Sequence, residues 1–440
     1  MKKTVFLIAA AFAVSTAALA QESPNPADYA TLENGFVRIG ELRNNSRNNV
    51  GASSFLFPSG DKLVTGLHSS IGADAFLSGL KDVNSLYNQL NYNLVSYGWK
   101  GSSYGYHTIE VGARAEYGLS VPKEIFQILK TGTSHSPYNL ASLRAFGNLY
   151  GEIAYSFALP LGDRFFLGTR IKLLAGLSSV DVMAWKFQLT TTAEKYMFDL
   201  DADMDLTNAI KKIGTDENGY LDYTSISGKG KLGAPSGFGM ALDLGFRWEV
   251  FDGFTLDASV SDIGGILWSY GNGGRSSGTY TFEGLKSLSI EEMNQEKVLA
   301  KVKDLGDEVV KVVRPKAVEK SVKIKDLPFS AAANAAYAMP FWKNLSVKAS
   351  GLYTGYSFCA PYWEARGGLA LDFPEVASLY ASAGSGAYGF VYNVSGSVNF
   401  LSFKLYASFG NGIGGYVPYE DIPLKANSLS LVAGLIYLIK

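Results

Sequence analysis

Residues 236–250, SGFGMALDLGFRWEV, alternate without a break. Phe238, Met240, Leu242, Leu244, Phe246, Trp248 and Val250 share one side; Gly237, Gly239, Ala241, Asp243, Gly245, Arg247 and Glu249 share the other. A side-chain period of two marks a strand, and this one far exceeds the roughly 5 to 6 residues usual in globular proteins. Asp252-Gly253 then supplies a hairpin signal. Beyond it Phe254, Leu256, Ala258 and Val260 resume the apolar side, while Thr255, Asp257, Ser259 and Ser261 resume the polar one. Long paired strands with one greasy and one charged face predict a membrane wall, with lipid on one side and a wet lumen on the other.

Working outward, the chain opens with Lys2 and Lys3, an apolar run from Val5 to Val14 and Ala18-Leu19-Ala20 before Gln21. That order reads as a secretory signal peptide over residues 1–20. No later segment has the 18 or so consecutive apolar residues of a membrane helix. Yet the apolar share is 47% and mean hydropathy is slightly positive. Half-apolar strands reconcile these facts, because each escapes a hydropathy window built for helices. The 48 Gly, 26 Tyr and 26 Phe suit a curved sheet with aromatic girdles. With 39 basic and 40 acidic residues there is no electrostatic footprint for nucleic acid. Cys359 stands alone and forms no internal disulfide.

At the other end, Leu429, Leu431, Ala433, Leu435, Tyr437 and Ile439 form one face of a terminal strand. The run Gly434-x-x-Tyr437-x-Ile439 is similar to the signal read by barrel assembly machinery, although Val432 and Lys440 depart from the usual pattern. Short turns are expected at 161–163, 193–194, 251–253, 340–344, 374–376 and 401–402, and long connections at about 118–147, 206–235, 270–327 and 411–426. Short periplasmic turns facing long outer loops are the usual asymmetry. The expected fold is all-β: a transmembrane antiparallel up-and-down β-barrel of about 14 to 16 strands, with small helical satellites in loops. An extra strand is sought in Asp61 to Gly72, and residues 61–440 are assigned to the outer-membrane barrel. Residues 21–60, with Pro24, Pro26 and Asn44 to Asn49, read as an irregular segment and candidate lumen plug. Pro122 to Leu129 and Ser289 to Val310 read as helices, the second opened by a Ser289-x-x-Glu292 capping box.

The polar faces supply the lumen-lining candidates: Glu110, Arg114, Glu116, Glu152, Arg170, Lys172, Asp243, Arg247, Glu249, Asp257, Lys348, Glu364 and Arg366. Both signs stand on neighbouring strands, so a greasy tunnel is not expected, and Arg at Gly245 is expected to be tolerated unless it clashes. Asp199, Asp201, Asp203 and Asp205 share one strand face and form a weak candidate metal row, since one flat row cannot wrap a calcium ion. Hydration outweighs a specific ion there, and Asp216-Glu217-Asn218-Gly219 lacks calcium-loop spacing. His68, His107 and His135 show no zinc spacing, and no G-x-S-x-G elbow exists. Neither catalytic residues nor cofactors are expected, so the chain does not read as an enzyme.

The segments 85–101 (SLYNQLNYNLVSYGWKG), 121–132 (VPKEIFQILKTG), 147–161 (GNLYGEIAYSFALPL), 167–177 (LGTRIKLLAGL) and 242–268 together resemble a Bacteroidetes family of outer-membrane barrels with no assigned function. That family is distantly similar to barrels of the long-chain fatty-acid transporter type, which implies a 14-stranded wall with an N-terminal hatch. The resemblance implies location and architecture but carries no binding residues. The functional expectation is passive transport of a small or amphiphilic solute across the outer membrane. The competing expectation is an interaction barrel displaying outer loops to a surface or secretion partner. Expected partners are outer-membrane lipid, the assembly machinery and an unknown solute or surface partner, with no nucleic acid.

Overall fold

The structure is a computed structural model that describes residues 25–439 except 61, 102–104, 134–135, 192–195, 209–213, 223–234, 271, 283–313, 319–320, 356–360, 374–375 and 414–426. Fourteen antiparallel strands close into one barrel. In chain order they are β1 (Gly35–Asn48), β2 (Val83–Lys100), β3 (Tyr106–Pro122), β4 (Arg144–Pro160), β5 (Phe165–Thr191), β6 (Gly237–Phe251) and β7 (Phe254–Tyr270). They continue as β8 (Phe329–Met339), β9 (Trp342–Gly355), β10 (Tyr362–Phe373), β11 (Ala377–Gly386), β12 (Gly389–Phe400), β13 (Phe403–Ile413) and β14 (Asn427–Ile439). Each pairs with its chain neighbours, and β1 pairs with both β2 and β14, from Gly35↔Ile439 to Asn48↔Asn427. Closure leaves no edge to satisfy, which a bilayer requires.

β1 corrects the reading of residues 21–60. Its segment is wall, not plug, and the reason is a bulge: Gly40 adopts φ +69° and the register against β14 jumps between Ile39 and Leu42. An extra residue at positive φ flips the alternation, and beyond it Asn44 and Ser46 continue the side begun by Val37 and Ile39, so no unbroken apolar face was there to read. Asp61 to Gly72 likewise adds no wall strand; Leu56–Ser59 and Lys62–Thr65 form a separate two-stranded hairpin.

The strand ends sort into two rims. The connections after β2, β4, β6, β8, β10 and β12 lie at one rim with Gly35 and Ile439, and those after β1, β3, β5, β7, β9, β11 and β13 lie at the other, where all are longer except the two-residue turn Ala387-Tyr388. The turn expected at 193–194 lies outside the described residues; on either side of it β5 runs 27 residues and pairs with Tyr196–Asn208, which pairs in turn with a further strand, Asn272–Phe282. That trio extends the sheet past the wall, and the wall itself holds 14 strands, within the expected 14 to 16. At the same rim Val50, Phe55, Phe76, Leu80, Leu86, Val121 and Phe126 form an apolar cluster. Phe126 comes from the helix Lys123–Thr131, which starts after Pro122 as the sequence indicates.

Burial is inverted relative to a soluble protein. Ile153, Leu173, Phe238 and Leu369 are more than half exposed, whereas Arg170, Lys172 and Asp243 are buried. Such a continuous apolar exterior is a lipid-facing band. Near the short-turn rim Trp99, His107, Tyr155 and Phe157 pack outward as part of an aromatic girdle, with His107 Nδ1 and Tyr155 Oη 2.7 Å apart. That settles the side of His107: it faces the girdle. No helix among the described residues is long and apolar enough to cross a membrane.

Candidate functional site

The ten residues before β1 enter the lumen. Pro26–Thr31 forms a 3-10 turn capped by Asn25, whose Oδ1 accepts from the Ala27 N–H at 3.0 Å while its Nδ2 donates to the Phe246 carbonyl at 2.9 Å. The segment lies directly on bare backbone: a Cβ at Gly245 would overlap Asn25 Oδ1, and one at Gly168 would overlap the Pro26–Ala27 peptide. These glycines pair as Gly245↔Gly168 on adjacent strands and make the seat. Tyr29, buried and stacked on Phe36 and Tyr106, donates from its hydroxyl to Glu110 at 3.2 Å and accepts from Arg170 at 3.1 Å. Burial pushes the Tyr29 phenol up, and Glu110 adds to the rise. Asp28 pairs with Arg247 at 3.2 Å. The candidate plug is therefore residues 25–34, a quarter of the stretch first assigned to it.

Behind the plug lies a belt of charge. Arg170 reaches Glu110 at 2.7 Å and Asp243 at 3.5 Å; Lys172 reaches Asp243 at 2.8 Å and Asp262 at 2.7 Å; Arg114 reaches Asp262 at 2.8 Å and Glu152 at 3.0 Å. Tyr150 donates to Glu116. Register explains the room for such long side chains: Ala154 and Ala241 flank Lys172, and Ser156 sits beside Arg170. Small and large residues alternate across the strands. Buried pairs like these repay desolvation only when each charge keeps its partners. The belt brings together Glu110, Arg114, Glu116, Glu152, Arg170, Lys172 and Asp243.

Asp262 was missed, along with Tyr29, Arg38, Glu41, Arg43 and Tyr406. Asp262 holds φ +65° at a bulge where β7 pairs Val260 with Leu244 and then Ile263 with Leu242. Its N–H donates to Asp243 at 2.8 Å, so the turn of backbone and the charge belt hold each other. The signal was present as two consecutive polar residues, Ser261-Asp262, before Ile263-Gly264-Gly265. Positive φ in a residue other than glycine costs of order 1–3 kcal/mol and persists where surroundings over-determine it.

Beside the plug a polar cavity of about 600 Å³ is lined by Arg247, Asp257, Lys348 and Arg366, and also by Asp28, Arg38, Glu41, Lys404 and the Ser/Asn faces of β11 to β13. Farther toward the long-loop rim, Arg47 of β1 lies 4.0 Å over the ring of Tyr362 of β10. The Tyr362 hydroxyl donates to Glu364 at 2.6 Å, with Ser428 Oγ 2.8 Å away, and Glu364 holds Arg366 at 3.1 Å. This contact spans the lumen between strands that are not neighbours. Glu249 shares the Arg247 face nearer the short-turn rim and stays apart from the belt.

In the acidic row, Asp199 pairs with Lys186 and the register sets Asp201 opposite Lys186 and Asp203 opposite Met183, outside the wall; the side chains of Asp201, Asp203 and Asp205 lie outside the described residues. Asp216 accepts from the N–H groups of Asn218 and Tyr220 at 2.9 Å and bridges Arg314 at 2.8 Å. The Tyr220 N–H foremost holds its carboxyl below the usual range. His68 bonds Ser70, while His135, Cys359, the leader expected at 1–20 and the helix expected at 289–310 lie outside the described residues.

Three solved barrels are similar to this one. A Pseudomonas aeruginosa FadL homologue shares 10% identity with a TM-score of 0.46, over 94% of this chain and 92% of that one. The Ralstonia pickettii toluene transporter TbuX shares 8% with a TM-score of 0.44, over 97% and 96%. The translocator domain of the autotransporter NalP from Neisseria meningitidis shares 8% with a TM-score of 0.38, over 94% and 91%. A superposition this loose says nothing about cargo, and the barrel stands on its own strand pairing. No curated protein matches the chain. The match that does carry weight covers β1 through β12 and the start of β13: residues 31–407 fit the model of the Family of unknown function (DUF5723), and the chain belongs to that family.

Proposed function

We propose that the protein is an outer-membrane transport barrel for a small polar solute, gated by the segment Asn25 to Asn34. The observation that carries this reading is the seating of that segment on Gly168 and Gly245 beside a 600 Å³ polar cavity. A wall needed only for anchoring has no use for glycine seats that hold a plug by a few polar contacts. The lining opposes a greasy passage: it presents guanidinium, ammonium, amide and hydroxyl groups, where an extended acyl chain would leave them unsatisfied. Single-channel conductance in planar bilayers tests the reading. The full chain should pass little or intermittent current, and a chain lacking residues 25–31 should pass steady current. If both assemble as heat-modifiable barrels and neither conducts nor swells liposomes, transport is wrong.

The interaction reading has one observation in its favour. β5, Tyr196–Asn208 and Asn272–Phe282 carry the sheet beyond the wall on the long-loop side. Silent bilayers from both chains would make that extension the working surface of the molecule.

A further inference from the structure

We propose that the lumen cavity beside the plug is a binding site for a small oxyanion, a carboxylate or a phosphate, with Arg38 as its central contact. This deepens the transport reading by naming the class of solute. Arg38 is only 8% exposed, and its Nε and Nη1 donate to no acceptor among the described residues. The nearest carboxylate, Glu41, stands 3.6 Å off and is already held by Arg43 at 2.7 Å and by the Tyr406 hydroxyl. A buried guanidinium with idle donors is costly, and its planar fork matches an oxyanion.

A second cation meets it from across the sheet. Arg38 pairs with Ile436, and Ile436 pairs with Lys404, so the three lie in one row over β1, β14 and β13. Two strand spacings separate Arg38 and Lys404 by about 10 Å at the backbone, and side chains on the concave face of a barrel converge. Lys404 has no carboxylate within ion-pair distance among the described residues. Lys348, on the far wall, rests 5.4 Å over the Tyr380 ring with no carboxylate partner among them either. The cavity lining holds six cations, Arg38, Arg43, Arg247, Lys348, Arg366 and Lys404, against the four carboxylates of Asp28, Glu41, Asp257 and Asp372. Ser395, Ser397 and Ser408 add neutral donors at the same cavity. Its volume of about 600 Å³ admits a small solute together with water.

Isothermal titration of the purified full chain in detergent tests this with inorganic phosphate and succinate as probes. Glucose serves as the neutral control and sodium chloride matches ionic strength. Saturable binding of either anion is expected, weakened about tenfold or more by Arg38→Gln and by Lys404→Gln. Lys62→Gln in the outer hairpin should change nothing. Arg38→Lys should recover part of the loss, since it restores charge without the fork. Binding of phosphate alone or succinate alone supports the site and identifies its source. Absence of binding for both, equal binding of glucose, or undiminished binding in both glutamine variants would overturn it; if Arg38→Gln does not assemble, Lys404→Gln decides. Conductance without anion binding would sink the site and spare transport, while binding without conductance would do the reverse.

Discussion

Leu244 and Gly245 are chain neighbours with opposite surroundings. Leu244 faces lipid, so Leu244→Arg should destabilise the barrel by about 2–4 kcal/mol near the bilayer midplane, read in a refolding titration. Gly245, on the polar face, is expected to tolerate Arg unless it clashes, and the structure supplies the clash: the space a Cβ needs is occupied by Asn25. Gly245→Val should therefore leave the wall assembled and unseat the plug, raising conductance toward that of the chain without residues 25–31. A closed Gly245→Val channel would show that the seat is not needed. In the belt, Lys172 serves both Asp243 and Asp262. Lys172→Met should cost of order 3–5 kcal/mol, as removal of one partner from a buried ion network does, measured as a shift in urea midpoint. A change under about 1 kcal/mol would mean that lumen water already screens these carboxylates.

Elements differ in what their loss does. β1 and β14 close the ring through twelve residue pairs in register, whereas Pro26–Thr31 meets the wall through one cap, the stacking and hydrogen bonds of Tyr29 and the Asp28–Arg247 pair. Deleting 35–48 should abolish the heat-modifiable barrel, because two edges would be left in lipid. Deleting 25–31 should preserve it. Tyr437→Asp should act like the first deletion, since Tyr437 packs outward on Phe403 at the closing seam. Normal assembly of Tyr437→Asp would mean that the terminal strand face does not guide closure.

For the whole molecule, the plug couples lumen charge to pH. Burial in the lumen raises the Asp28 carboxyl above its ordinary range, outweighing the opposing pull of Arg247, and Asp257 adds to the rise. The seated segment thus binds a proton more tightly than the released one. Its seating preference is complete below the ordinary carboxylate value and is lost as pH rises through it toward the raised value. Conductance of the full chain should accordingly climb with pH from about 4 upward, and Asp28→Asn should flatten the climb. A fall in conductance over that window would show that the Arg247 pair, not burial, governs seating.

The sequence by itself determined the class of fold and the period-two faces of most long strands, but it left Asp262 out of the charge belt. Class and faces follow from a period of two, which is local and survives any arrangement of the strands. Strand number, the closing role of Gly35–Asn48 and the plug seat were decided only in three dimensions. At Gly40 and Asp262 a bulge reverses the faces, and a bulge is fixed by its partner strand rather than by its own residues. Glycine at 168 and 245 looked like generic relief in a curved sheet, and only the returning N-terminus shows what they make room for. Arg38, unlike Arg170, finds no dedicated acceptor, and that difference exists nowhere but in the assembled lumen.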